Sequence, residues 1–190
     1  PTGGYDQGNP QIRISVGGNV NLTPEESISK TLGLVYSPSY LEGFDVSVDW
    51  WQIELDNTIT ALTGQFILDE CIRRGNANAC SLFSRNLDGS IGNLLSAGLN
   101  IGSQEVEGFD VTFNYKIADT RFGTFSASLD NSYIVRDQSD VDLDGALDDS
   151  VTGEYNQAFV NNWRLRSNLA ARWTMGDWGA TWNVRYFSRQ

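Results

Sequence analysis

The stretch VEGFDVTFNYKIA, from Val106 to Ala118, divides into two chemistries when every second residue is read. Phe109, Val111, Phe113, Tyr115 and Ile117 are apolar, whereas Gly108, Asp110, Thr112, Asn114 and Lys116 are small, polar or charged. Alternation of this length prescribes a β-strand with two unlike faces, because successive side chains of a strand point to opposite sides. In a soluble sheet the apolar face packs on a core and the polar face meets water. In a membrane barrel the apolar face meets lipid and the polar face a wet lumen.

Five further stretches alternate. They run through Leu32, Leu34 and Tyr36; through Phe44, Val46, Val48 and Trp50; and through Phe125, Ala127, Leu129, Tyr133 and Val135. The last two run through Trp163, Leu165, Leu169, Ala171 and Trp173, and through Trp178, Ala180, Trp182, Val184 and Tyr186. Asn131 and Ser167 break the pattern by sitting on apolar faces, and the phase blurs at DWWQIEL. Short, turn-rich links (SPSYLEG, ADTRFG and MGD) join the strands pairwise. Long segments near 57–103 and 137–161 separate the pairs. Short and long connections in turn describe an antiparallel up-and-down meander, and tight turns at one end with long loops at the other are the habit of outer-membrane barrels. A sandwich spaces its turn signals more evenly. The expected fold is therefore all-β, an antiparallel up-and-down meander forming part of a large transmembrane β-barrel.

Tyr36, Phe44, Tyr115, Phe125, Trp173 and Trp178 fall on the apolar face within a few residues of a short turn, where an interfacial girdle belongs. Aromatic packing in a sandwich core is the competing explanation. Phe109, Val111, Phe113, Tyr115, Trp173, Trp178 and Trp182 are the expected lipid-facing residues. Asp110, Lys116, Asp130, Arg164, Arg166, Arg172 and Arg185 are expected to face the lumen, although a solvated outer face would explain the same charges.

Composition narrows the functions. A net charge of −11 argues against nucleic acid, which attracts a basic footprint. Histidine is absent, which removes the commonest general base and metal ligand. No serine stands in a nucleophile elbow and the glycines form no phosphate cradle, so no enzyme is expected. No apolar run approaches the ~20 residues of a membrane helix. The chain has no initiator Met or signal peptide and its last residues stop inside a strand pattern, so it reads as a fragment, or the ordered part, of a longer chain.

Two other stretches carry chemistry. Cys71 and Cys80 are the only cysteines. Without histidine they make no complete zinc site, and their spacing is not that of a redox dithiol. A disulfide stapling a small loop is the expected arrangement and two free thiols the alternative; GQFILDECIRR beside it suits a short helix with Phe66, Ile67 and Cys71 on one side. DVDLDGALDD resembles a calcium loop, with Asp140, Asp142 and Asp144 at alternate positions, Gly145 at the sharp turn and Asp148 at the ninth. Val151 occupies the twelfth, where a bidentate Glu belongs. Calcium is the one cofactor suggested, and a solvated acidic loop is the alternative.

A longer similarity joins these pieces. GGNVNLTPEESISKTLGLVYSPSYLEGFDVSVDWWQIELDNTITAL resembles the late-barrel region of TonB-dependent outer-membrane receptors. NIGSQEVEGFDVTFNYKI and GTFSASLDNSYI are similar to the strands that follow in that family. The resemblance runs from about Gly17 to Gln190, and the order and spacing of the motifs carry it more than any one motif. It implies a location in the bacterial outer membrane with the long loops extracellular, a barrel filled by its own N-terminal plug, and coupling to the TonB energy-transducing complex. It further implies import of a scarce nutrient such as a ferric siderophore, cobalamin or an oligosaccharide. The plug and the closing strands would lie outside these residues. Two other functions remain open on the residues alone: a soluble extracellular all-β binding or adhesion module stabilised by calcium, and a porin-like barrel without a plug.

Overall fold

The structure, a computed structural model, describes residues 11–140, 146–148, 150–154 and 163–189. Its elements are β1 (Ile14–Gly17), β2 (Glu26–Tyr36), β3 (Phe44–Ala61), α1 (Gly64–Asp69), a π-helical turn (Glu70–Arg74), α2 (Ala77–Cys80), β4 (Phe83–Arg85), β5 (Ile91–Thr120), β6 (Gly123–Ser139), β7 (Leu165–Met175) and β8 (Trp178–Phe187). The sheet order is β2-β3-β5-β6-β7-β8, with β1 and β4 also paired to β5. Neighbours in the sheet are neighbours in sequence apart from the short β4, which is the up-and-down meander expected from the alternating connections. The pairings of β6 with β7 and of β7 with β8 are antiparallel, whereas β1 joins β5 in parallel.

The segment 57–103 is not a loop throughout. β3 continues to Ala61 and β5 begins at Ile91, so the strands take over much of it. The 30 residues of β5 are about three times the 9–11 that cross a bilayer. Val, Ile, Leu and Thr in ITALT and IGNLLSAGLNIG favour extended backbone even where two-faced alternation has ceased. The β5–β6 hairpin closes through Arg121 and Phe122 on Gly123, whose φ of 95° is open to glycine at no steric cost. A Cβ at that position would also collide with the Thr174 carbonyl oxygen.

The chain divides into two compact units. One takes β1, β3 from Leu55, both helices, β4, β5 as far as Gln104, and the segment from Ser139 to Asp148. The other takes Ile28 to Glu54, Glu105 to Gln138, and the chain from Asp149 through β7 and β8. The first unit has a small conventional core: Leu62, Ile67 and Leu94 are buried together, flanked by Ile12, Phe66, Leu68, Leu82 and Phe83. Thr63 caps α1 by accepting from the Phe66 amide at 3.3 Å, and Asn76 caps α2 by accepting from the Asn78 and Ala79 amides at 2.9 and 3.2 Å. Cys71 and Cys80 are joined as a disulfide that ties the π-helical turn to α2. The second unit is built differently. Among the described residues the buried hydrophobics all belong to the first unit, and in the second Leu32, Trp178, Trp182 and Val184 are exposed.

Candidate functional site

The candidate functional surface is the pair of faces that the second unit's sheet presents. Register fixes them. Across β6, β7 and β8 one set of rows reads Phe125–Trp173–Ala180, Ala127–Ala171–Trp182 and Leu129–Leu169–Val184. The alternating set reads Ser126–Arg172–Thr181, Ser128–Ala170–Asn183 and Asp130–Asn168–Arg185. A slip of one residue in any strand would have interleaved the two sets. On the apolar face, Phe44 and Tyr115 meet edge to face with centroids 6.2 Å apart. Trp173 donates its Nε1–H to the Phe122 carbonyl at 2.7 Å, so its polar end is satisfied at the turn while its ring extends the apolar face.

The polar exceptions on the apolar face are paired with each other. Asn131 and Ser167 are register partners, Ser167 Oγ donates to Asn131 Oδ1 at 2.7 Å, and Asn131 Nδ2 donates to the Val111 carbonyl at 3.2 Å.

On the polar face, Asn114 donates to Asp45 at 2.9 Å and Thr112 to Asp130 at 3.0 Å. Asp110, Asp130, Arg166, Asn168 and Arg185 line one shallow recess, and Lys116 and Arg172 line another with Asp45 and Asn114. Arg164 stands just before β7 and gives its guanidinium to the carbonyls of Val135 and Thr152 at 3.4 and 3.1 Å. Trp163 also precedes β7. Its ring lies 4.4 Å from that of Phe187, the register partner of Arg166, so its partner belongs to the polar rows and the expected place of Trp163 on the apolar face is corrected. Trp51, where the sequence phase blurs, covers Gly108, and a Cβ there would strike the indole at 2.6 Å.

A charged network escaped the sequence reading. Arg136 bridges Glu105 and Glu107 at 2.6 and 2.8 Å, Trp50 donates to Glu107 at 2.8 Å, and Gln52 donates to Glu105 at 2.8 Å. Glu105 and Glu107 continue the odd-numbered positions of Phe109 and Val111, and Gln52 continues those of Val48 and Trp50. The apolar face thus ends in a hydrogen-bonded ionic cluster. Strict alternation from Phe125 would put Arg136 on the other face with Ser132, so the two-residue period does not survive to Arg136. The signal available in sequence was the spacing of the two glutamates.

The first unit carries the remaining candidates. Asp140 is buried with its amide bonded to the Ser103 carbonyl at 3.0 Å, and the Asp148 amide bonds to the Ser139 carbonyl at 3.2 Å. Asp142 and Asp144 lie outside the described residues. Among the described residues no group of three or more acidic, His or Cys side chains is placed to hold a metal ion. At the tip of the segment before β5, the Ser90 hydroxyl and amide hold the Asp88 carboxyl below the usual carboxylate range. Among the described residues no helix is long and apolar enough to cross a membrane.

A family model described as TonB dependent receptor-like, beta-barrel, matches residues 1–190. The chain belongs to that family. TonB-dependent receptors are transporters of the bacterial outer membrane, so this sheet is part of a transporter barrel, and the family's partners are the membrane, the plug and the TonB system in general. No curated protein gives a significant match.

Proposed function

We propose that this segment of a TonB-dependent receptor is the wall, with outer loops, of a transporter that imports a scarce nutrient: a ferric siderophore, cobalamin or an oligosaccharide. Phe109, Val111, Phe113, Tyr115, Trp173, Trp178 and Trp182 dissolve the wall in lipid. Asp110, Lys116, Asp130, Arg166, Arg172 and Arg185 line the lumen, where they hold the N-terminal plug and border the route. The disulfide-bonded helical segment stands on the extracellular side, where the redox environment preserves it.

The observation that carries this reading is the separation of apolar from polar rows through three consecutive strands, with the apolar rows uncovered. A soluble monomer seldom exposes more than a few hundred Å2 of contiguous apolar surface. The same face is at no disadvantage against hydrocarbon. Energy-dependent uptake tests the reading. In cells carrying the full-length receptor, uptake should require both the receptor and the TonB complex, and uptake indifferent to TonB would favour a passive porin.

A subsidiary reading gives the loop of Asp140, Asp142, Asp144 and Asp148 a calcium ion. It is favoured by the Ser139–Asp148 backbone bond, which draws the two ends of the loop together. The segment from Asp137 to Glu154 has seven acids and no base, a repulsion that a cation would relieve.

A further inference from the structure

Phe187 is an aromatic residue on a polar face. Its register partner is Arg166, one row from the pair Asn168–Arg185. It is 44% exposed, and Trp163 backs it at 4.4 Å. Phe187 therefore offers ring surface to the recess that Asp110, Asp130, Arg166, Asn168 and Arg185 line. Among the described residues Asp110, Arg166 and Arg185 form no ion pair, although acids and bases share the recess. With Asp130 included, the four charged side chains of the recess, two acids and two bases, sum to zero.

Position separates this recess from the rest of the polar face. The short turns of this sheet close β5 on β6 at Arg121 and Phe122, and β7 on β8 at Gly176 and Asp177. Arg166 and Phe187 lie at the opposite ends of β7 and β8. In the transporter reading above, on which this inference rests, that end is the outer mouth of the lumen.

We infer that the recess is a binding subsite for a neutral sugar chain. A pyranose has an apolar face of C–H groups and a rim of hydroxyls that both donate and accept. An exposed, backed ring accommodates the first by stacking. Planar carboxylate, amide and guanidinium groups bridge adjacent hydroxyls of the second. An iron chelate carrying net negative charge would gain from Arg166 and Arg185 but be opposed by Asp110 and Asp130. A neutral polyol meets no such opposition, and it uses the unpaired acids and bases alike.

The test uses the full-length receptor folded in detergent micelles, with folding verified by circular dichroism. Titration calorimetry compares malto-, cello- and xylo-oligosaccharides with a ferric catecholate chelate. At least one oligosaccharide series should bind. Phe187→Ala should weaken that binding about tenfold, in keeping with loss of one aromatic contact, and Phe187→Trp should restore it. Arg185→Gln, which keeps a planar hydrogen-bonding group, should weaken it less than Arg185→Ala. Three results would overturn the inference: a folded receptor that binds none of the sugars, sugar binding indifferent to Phe187→Ala and Arg185→Ala, or a chelate that alone depends on these residues. Each of those would leave the transporter reading standing, whereas TonB-independent uptake would remove the basis of both.

Discussion

Ser167 Oγ donates a 2.7 Å hydrogen bond to Asn131 Oδ1 directly across the β6–β7 ladder, on a face otherwise made of Leu, Ala, Phe, Trp and Tyr. Each is the polar exception of its own strand, and register brings the exceptions together. In hydrocarbon either residue alone would leave a polar group unpaired, at a cost that the pair avoids.

Breaking half of this pair should therefore be worse than removing all of it. Ser167→Ala should destabilise the folded barrel by about 1–2 kcal/mol, because Asn131 keeps a desolvated carbonyl. The double variant Asn131→Leu, Ser167→Ala should recover most of that loss. Reversible urea unfolding in lipid vesicles measures both, and additive losses would deny the coupling.

Arginine replacement should distinguish the faces of β5. Val111→Arg should cost about 2–4 kcal/mol if that position is near the bilayer midplane, and Thr112→Arg much less. Yield of folded full-length protein in the outer membrane reads the difference. Equal tolerance would mean that the two faces do not meet different solvents.

The disulfide acts on the first unit. Reducing Cys71–Cys80, which closes a loop with a sequence separation of nine, should cost about 2–3 kcal/mol locally. Amide exchange should quicken between Leu62 and Asn86 and stay unchanged in β7 and β8. Ile67→Ala, at a side chain with 0% exposure, should act on the same region with a loss of about 2–5 kcal/mol. Loss of protection in β7 would show that the two units do not open separately.

For the acidic loop, calcium in millimolar excess should slow amide exchange between Ser139 and Val151, and Asp140→Asn with Asp144→Asn should abolish the effect. Identical exchange with calcium and with chelator would leave the loop as a solvated acidic segment.

The strands and their faces were legible on the condition that apolar and polar side chains alternate without a break, as from Phe109 to Ile117. Legibility failed where that condition lapsed. Beyond Leu55 and before Glu105 the strands have no two-faced alternation, so the extended backbone there reads as loop. Near Tyr133 the period breaks, and Arg136 could not be matched to Glu105 and Glu107. Trp163 looks like a strand residue by composition, yet the strand starts at Leu165 and the ring is set by Phe187. Cross-strand partners such as Asn131 and Ser167 were visible as anomalies, but only register makes them a pair.

In the proposed barrel the odd positions of β5 from 109 to 117 meet lipid and the even positions between them meet the lumen. Nitroxide labels placed singly at each position from 109 to 117 of the full-length receptor, reconstituted in vesicles, measure it directly through collisions with oxygen, which concentrates in lipid, and with a nickel chelate, which stays in water. Oxygen accessibility should oscillate with a two-residue period and peak at positions 109, 111, 113, 115 and 117, with the chelate favouring the positions between. A flat profile, or one with the opposite phase, would contradict the account.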